Sequence, residues 1–209
     1  MIRMNFRELS VALSGALLAL ASSGALAADG ATAYDQQCVS CHGKYGQSTE
    51  PTIPIIGGYS EKYITESFKN FQTKTRPCAE VSIPSGPKKG TKSDMCKVLE
   101  KVKDDDAAAI AKWLAAQKFV RAKQPFDAAA AQKGVNVYKL RCEKCHENNG
   151  SSADEDNGIL AGQWTQYLRD QLVAFRAGRR PSDEKMKQRL DKVTKEEEEQ
   201  LLHFFASQP

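Results

Sequence analysis

Two short runs, "CVSCHG" at 38–43 and "CEKCHE" at 142–147, place two thiols and an imidazole at identical spacing, 104 positions apart in one chain. In Cys-x-x-Cys-His the second sulfur and the ring stand three and four residues after the first sulfur. A helix or helical turn therefore brings all three to one face. Two thiols so placed can add to the two vinyl groups of one porphyrin while the adjacent imidazole reaches the iron from the same side, which is the attachment signature of a c-type haem. Cys38, Cys41 and His42 would serve one haem, and Cys142, Cys145 and His146 a second.

The same spacing serves other chemistry. A redox dithiol uses Cys-x-x-Cys in a βαβ setting, for which this chain shows no strand pattern. A structural zinc site needs further Cys or His in each unit, and the second unit offers only His203. On the last helical pattern His203 falls opposite Leu201, Leu202, Phe204 and Phe205, toward solvent. Two boxes at matched positions favour haem.

A haem iron also needs a sixth ligand or an open site. Outside the first 27 residues the chain has two methionines, Met95 and Met186, each downstream of a box. A thioether opposite an imidazole makes a closed, high-potential centre suited to outer-sphere electron transfer; the plain alternative is two core-filling side chains. Cys78 and Cys96 remain, and in an oxidising compartment they are expected as a disulfide that pins the Met95 segment. The sharper alternative, a Cys96 thiolate on the iron in place of Met95, strands Cys78 and breaks the match with Met186.

These residues need a scaffold that occurs twice. "GATAYDQQCVSCH" overlies "GVNVYKLRCEKCH", and "IIGGYSEKYITESFKNF" (55–71) overlies "ILAGQWTQYLRDQLVAF" (159–175). Beyond Phe71 the offset falls to 91, where Met95 meets Met186 and "IAKWLAAQ" (110–117) meets "LLHFFASQ" (201–208). The first copy is therefore longer by 13 residues, expected between Phe71 and Met95 as a Pro-, Gly- and Lys-rich surface loop. Apolar positions recur at helical spacing, and acidic residues at 104–106 and 196–199 suit helix starts, with Thr194 and Glu197 forming a capping box. The fold class expected is all-α, in two tandem domains at 28–120 and 121–209, joined near "KFVRAKQPFD" (118–127). Trp113 and Phe204 coincide in the repeat and are expected to pack on Gly30–Tyr34 and Gly134–Tyr138.

Residues 1–27 have a short basic start, an apolar stretch and a small-x-small "ALA" at 25–27, the layout of a cleaved signal peptide. Export to the periplasm follows, with 182 of the 209 residues remaining and no later segment apolar enough for a membrane span. The remaining 28 basic and 25 acidic residues are too evenly balanced to argue for nucleic acid. Bases do gather near each methionine, Lys88, Lys89, Lys92 and Lys97 in one copy and Arg179, Arg180, Lys185, Lys187 and Arg189 in the other. Such charges usually form a solvated face, and here they could steer an acidic redox partner.

The chain resembles a dihaem class I cytochrome c of the c-four type over nearly all of 28–209. Its second half is most similar to the haem subunit of flavocytochrome c sulfide dehydrogenase, through "AKQPFD" (122–127), "CEKCH" (142–146), "ILAGQW" (159–164), "RRP" (179–181) and "KM" (185–186). That resemblance implies two covalently bound haem c groups near the interface of two cytochrome c folds related by a pseudo-twofold. It also implies an FAD-containing sulfide dehydrogenase subunit as partner and a Pro54 carbonyl buttressing the haem histidine, with Gly158 in that place in the second copy. The competing expectations are a freestanding shuttle to a membrane oxidase and a redox enzyme with one labile haem ligand.

Overall fold

A computed structural model describes residues 29–154 and 156–208; the export segment expected at 1–27 lies outside the described residues. The first unit comprises α1 (Gly30–Gln37), α2 (Val39–His42), α3 (Glu61–Gln72), the strands β1 (Val81–Ser82) and β2 (Lys92–Ser93), α4 (Met95–Leu99) and α5 (Asp104–Ala115). The second comprises α6 (Ala128–Arg141), α7 (Glu147–Gly150), α8 (Thr165–Arg176), α9 (Glu184–Leu190) and α10 (Lys195–Ser207). The all-α expectation holds, since the described strands amount to one two-residue antiparallel ladder. Among the described residues no helix is long and apolar enough to cross a membrane.

The helices begin where side chains can replace missing backbone partners. Asp29, Ser60, Asp94, Asp127, Asp183 and Thr194 each accept the backbone N–H three residues on. Thr194 and Glu197 complete the expected capping box.

Each unit closes its core by crossing its first helix with its last. At the crossing of α1 and α5, Gly30 lies so close to the Ala109 carbonyl and Trp113 Cβ that any side chain would collide. Gly134 meets Gln200 and Phe204 in the same way between α6 and α10. One turn on, the fully buried Tyr34 ring lies 4.7 Å from Trp113, and Tyr138 lies 5.0 Å from Phe204. This is the packing expected from the repeat. His203 differs: it is half-buried, and its Nδ1 accepts the Asp127 N–H at 3.1 Å, fastening α10 to the start of α6.

The insertion begins later than expected. Arg76 and Pro77 still match Arg180 and Pro181 at the offset of 104. In space these arginines are equivalent too, each lying over the phenylalanine five residues earlier, Phe71 at 4.5 Å and Phe175 at 4.4 Å. The extra chain is therefore confined to 78–94, which carries the small β ladder, against 182–185 in the second unit.

The two units meet along an axis marked by Tyr59 and Gln163, equivalent positions of the repeat that touch each other. The buried Gln163 side chain accepts the Ile55 N–H at 3.0 Å and donates to the Ile55 carbonyl at 2.8 Å and the Tyr59 hydroxyl at 2.9 Å. Tyr59 in turn donates to the Ile159 carbonyl, the counterpart of Ile55, at 3.2 Å. Both amide N–H groups are thereby used, and the amide oxygen accepts a second bond from the Trp164 N–H at 3.0 Å, which is the full pairing a buried Gln requires.

Candidate haem sites

Two cavities flank this interface. One, of about 470 Å³, collects Cys38, Cys41, His42 and Met95 from α1, α2 and α4. The other, of about 640 Å³, collects Cys142, Cys145, His146 and Met186 from α6, the turn after it and α9. All eight expected residues thus fall into two matched sets of four. Apolar walls complete each chamber, with Ile64, Phe68 and Phe71 in the first and Leu160, Leu168 and Phe205 in the second.

The box geometry is set by backbone bonds. His42 and His146 each return an N–H to the carbonyl of the first cysteine at 3.0 Å, so the Cys-x-x-Cys-His turn is helical in both copies. The buried tyrosine one turn earlier then pins the exit: Tyr34 donates to the Gly43 carbonyl and Tyr138 to the His146 carbonyl, both at 2.6 Å.

The rings are held neutral. Burial pushes the pKa of His42 down; the Pro54 carbonyl opposes this and the nearby Arg76 charge adds to it. His42 Nδ1 lies 3.0 Å from the Pro54 carbonyl, and only the Nδ1–H tautomer makes that contact a hydrogen bond. Nε2 is then left with its lone pair for a metal. Burial also pushes His146 down, with the Gly158 carbonyl and Asp183 opposing. Its Nδ1 is nevertheless buried without a partner at hydrogen-bonding geometry. Gly158 is bare because the first unit needs the space: a Cβ there would stand 2.9 Å from the Tyr63 hydroxyl. Burial drives the Cys38 and Cys142 thiols up to about 12.

The methionines reach their cavities differently. Met95 opens α4 directly after its Asp94 cap, whereas Met186 is the third residue of α9 and gives its N–H to Asp183 at 2.6 Å. Next to Met95, the Sγ atoms of Cys78 and Cys96 meet, with Cα atoms 5.8 Å apart.

The cytochrome c family profile, "Cytochrome c", matches residues 27–118. The cytochrome c4 of Azotobacter vinelandii is 32% identical over 174 residues, covering 79% of each chain. The chain belongs to the cytochrome c4 family. The crystal structure of reduced cytochrome c4 from Pseudomonas stutzeri superposes with a TM-score of 0.69 at 26% identity, covering 88% of this chain and all of that one. A thiosulfate dehydrogenase from Marichromatium purpuratum superposes at 0.64 and 26% identity, over 82% of this chain and 36% of that protein. Fold class and cofactor complement follow: two cytochrome c domains with two covalently bound haem c groups.

The wall between the cavities fits such groups. Tyr59, Tyr63, Ser67, Arg76, Tyr167 and Gln171 line both chambers. Arg76 is buried and Arg180 half-buried, and among the described residues neither forms an ion pair with a carboxylate. Arg141, in the wall of the second cavity, has a buried Nε with no partner. Cationic donors facing apolar chambers without protein counter-ions suit a planar apolar ring that carries carboxylates. Burial raises the Tyr167 phenol, but the Arg76 and Arg180 charges outweigh it and leave the pKa below its ordinary value. The Arg–Tyr wall was not among the candidate residues of the sequence. Its signal was the Arg-Pro pair recurring at the original offset, past the point where the repeat was expected to break.

Proposed function

We propose that this c4-family chain is a freestanding periplasmic electron shuttle, exported by a signal peptide over 1–27, with its two domains at 28–120 and 121–209. In this reading Cys38 and Cys41 would hold one haem covalently, and His42 and Met95 would ligate its iron. Cys142, Cys145, His146 and Met186 would do the same for the other, and a Cys78–Cys96 disulfide secures the Met95 segment. The observation that carries the reading is the sorting of two thiols, one neutral imidazole and one thioether into each of two apolar cavities.

Haem c bound there supplies a one-electron iron couple. The protein's part would be to exclude water, keep each His neutral, and offer each iron one imidazole and one thioether, so that its valence could change without ligand exchange. Closed positions leave no site for a substrate, which speaks for a carrier over an enzyme. A membrane oxidase is the acceptor class proposed.

The experiment is a pyridine haemochrome count on the exported protein, followed by Met95→Leu and Met186→Leu. Two haems per chain, and a thioether-to-iron charge-transfer band that each variant halves, are the expected results. A band untouched by both substitutions would overturn the ligand assignment.

The likeness to the thiosulfate dehydrogenase favours a second reading, in which a sulfur-compound dehydrogenase, including the expected FAD-containing sulfide dehydrogenase, is the electron donor. Stable co-purification with a flavin-containing subunit would make the chain a subunit and displace the free shuttle.

A further inference from the structure

We propose that the rim of the second cavity formed by Lys139, Leu140, Arg141 and Lys144 is the docking surface for an acidic redox protein, and that the inserted hairpin closes the corresponding rim of the first cavity. The proposal rests on the electron-carrier reading and assigns the door through which electrons pass.

The asymmetry begins at one position of the box. Ser40 and Lys144 are equivalents, each preceding the second cysteine. On Ser40 sits the tip of the segment that the second unit lacks: Ser85 Oγ donates to the Ser40 carbonyl at 3.0 Å. Gly86, at φ 75°, approaches so closely that a Cβ there would stand 2.9 Å from Ser40 Oγ. Beneath this cover Cys38 is buried and Cys41 half-buried. In the second unit Cys142 is half-buried and Cys145 exposed, and Lys144 points into solvent. The short 182–185 connection has no residues to spare for a matching cover.

Charge differs at the helix end beside each box. The first unit carries Asp35, Gln36 and Gln37 there, one acid and no base, and its exposed lysines, Lys88, Lys89 and Lys92, lie on the hairpin instead. The open rim carries Lys139, Leu140 and Arg141 at those positions, with Lys144 within the box and Glu143 as the one acid among them. Arg189 joins this rim through a 3.1 Å bond from Nη1 to the Leu140 carbonyl. At its centre Leu140 is 59% exposed, the highest exposure among the large hydrophobic residues described. An apolar contact ringed by bases is complementary to a partner with an acidic ring around an apolar centre. The ring speeds encounter, and the apolar centre excludes water at the point of contact. Electron tunnelling falls steeply with distance, so a partner held at the uncovered attachment cysteine has the shorter path.

The test uses flavodoxin, an acidic flavoprotein whose anionic hydroquinone gives one electron to a ferric haem and becomes the neutral semiquinone, with no proton transferred. At low ionic strength, Lys139→Glu with Lys144→Glu should slow the second-order reduction of the holoprotein about tenfold or more, with the loss disappearing at high salt. Lys88→Glu with Lys89→Glu, on the hairpin, should change it less than twofold. Oxidised flavodoxin, which transfers nothing, should shift the backbone amide resonances of 139–145 and leave those of 83–89 in place. A larger loss from the hairpin pair, an unchanged rate in both pairs, or shifts confined to 83–89 would overturn the proposal. A ferric wild type that neither ascorbate nor flavodoxin hydroquinone reduces would instead overturn the carrier reading beneath it.

Discussion

Arg76 of the first unit donates from Nη2 to the Tyr167 hydroxyl of the second at 2.8 Å, and Arg180 of the second donates to Tyr63 of the first at 2.9 Å. These are one contact made twice, because each Arg–Tyr pair maps onto the other at the 104-residue offset. Gln171 sits between them and accepts from both guanidiniums, at 3.2 Å and 2.7 Å. A duplicated chain can thus build the self-complementary interface usual for a symmetric dimer without depending on concentration. It also places Arg76 in the wall shared by both cavities and Arg180 in the wall of the second, so that domain docking and cofactor surroundings are one arrangement.

Removing one hydroxyl tests this coupling. Tyr167→Phe keeps the ring but leaves Arg76, a buried group, one acceptor short. The expected loss is about 1–3 kcal/mol, the range for a hydrogen bond to a charged group whose partner is left buried. Urea unfolding of the holoprotein reads it. Tyr63→Phe should lose less, because Arg180 and Tyr63 are both half-buried. Equal and negligible effects would show that the phenols are spacers only.

Cys78→Ser and Cys96→Ser should destabilise the first unit by similar amounts, and the double variant by no more than either. Joining residues 18 apart is worth about 3 kcal/mol through the entropy of the unfolded chain. Because Cys96 follows Met95, the first unit should also lose its thioether-to-iron band at a lower temperature than the second. Simultaneous loss of both bands on heating would show that the cross-link does not protect the ligand.

Much of the site was legible in the sequence, for reasons that differ by residue. The boxes, Met95 and Met186 could be singled out, and the structure gathers them at two cavities, because the attachment and ligation proposed for them demand rare residue types at fixed spacing. The helix crossings at Gly30 and Gly134 could be found because small-residue contacts repeat with the scaffold. The interface was harder. Gln163 and Tyr59 are chemically unlike although equivalent, so no repeat comparison marks them as partners. Tyr63 and Tyr167 fit an apolar helical stripe equally well whether they face a core or another domain. His203 was read from its own helix alone, and it is the approaching Asp127 backbone that covers it.

Acid should weaken the second unit at one identifiable cap. The Ala130 backbone N–H, above all, holds the Asp127 carboxyl below its ordinary value of 3.8, with the Ala129 N–H and the Lys133 charge adding to the effect. A carboxylate depressed in the folded state contributes stability that is fully present above the unfolded value. That contribution is lost as pH falls through the folded one. The slope it adds therefore lies on the acid side of 3.8. Asp127→Asn retains a capping oxygen without the titration, so its melting temperature should fall less steeply than wild type over that window. Parallel melting curves against pH would remove Asp127 from the account.

The two irons should differ in potential, with the second unit reduced first. His42 donates Nδ1–H to the Pro54 carbonyl, which makes its ring the stronger donor and favours the ferric state. His146 lacks a bond of that geometry, its Nδ1 being buried without a partner. Two charges work in the other direction: Arg76 near His42 disfavours ferric iron in the first unit, and Asp183 near His146 favours it in the second. Arg76 also lines the second cavity, so its charge acts on both units, and Asp183 is engaged with the Met186 N–H, whereas the Pro54 bond acts on the ligand ring itself. Stepwise reductive titration followed through the axial methionine methyl resonances decides the order. If the Met186 signal becomes diamagnetic first, the hydrogen bond governs. If the Met95 signal leads, the flanking charges outweigh it, and Arg76→Leu should then reverse the order.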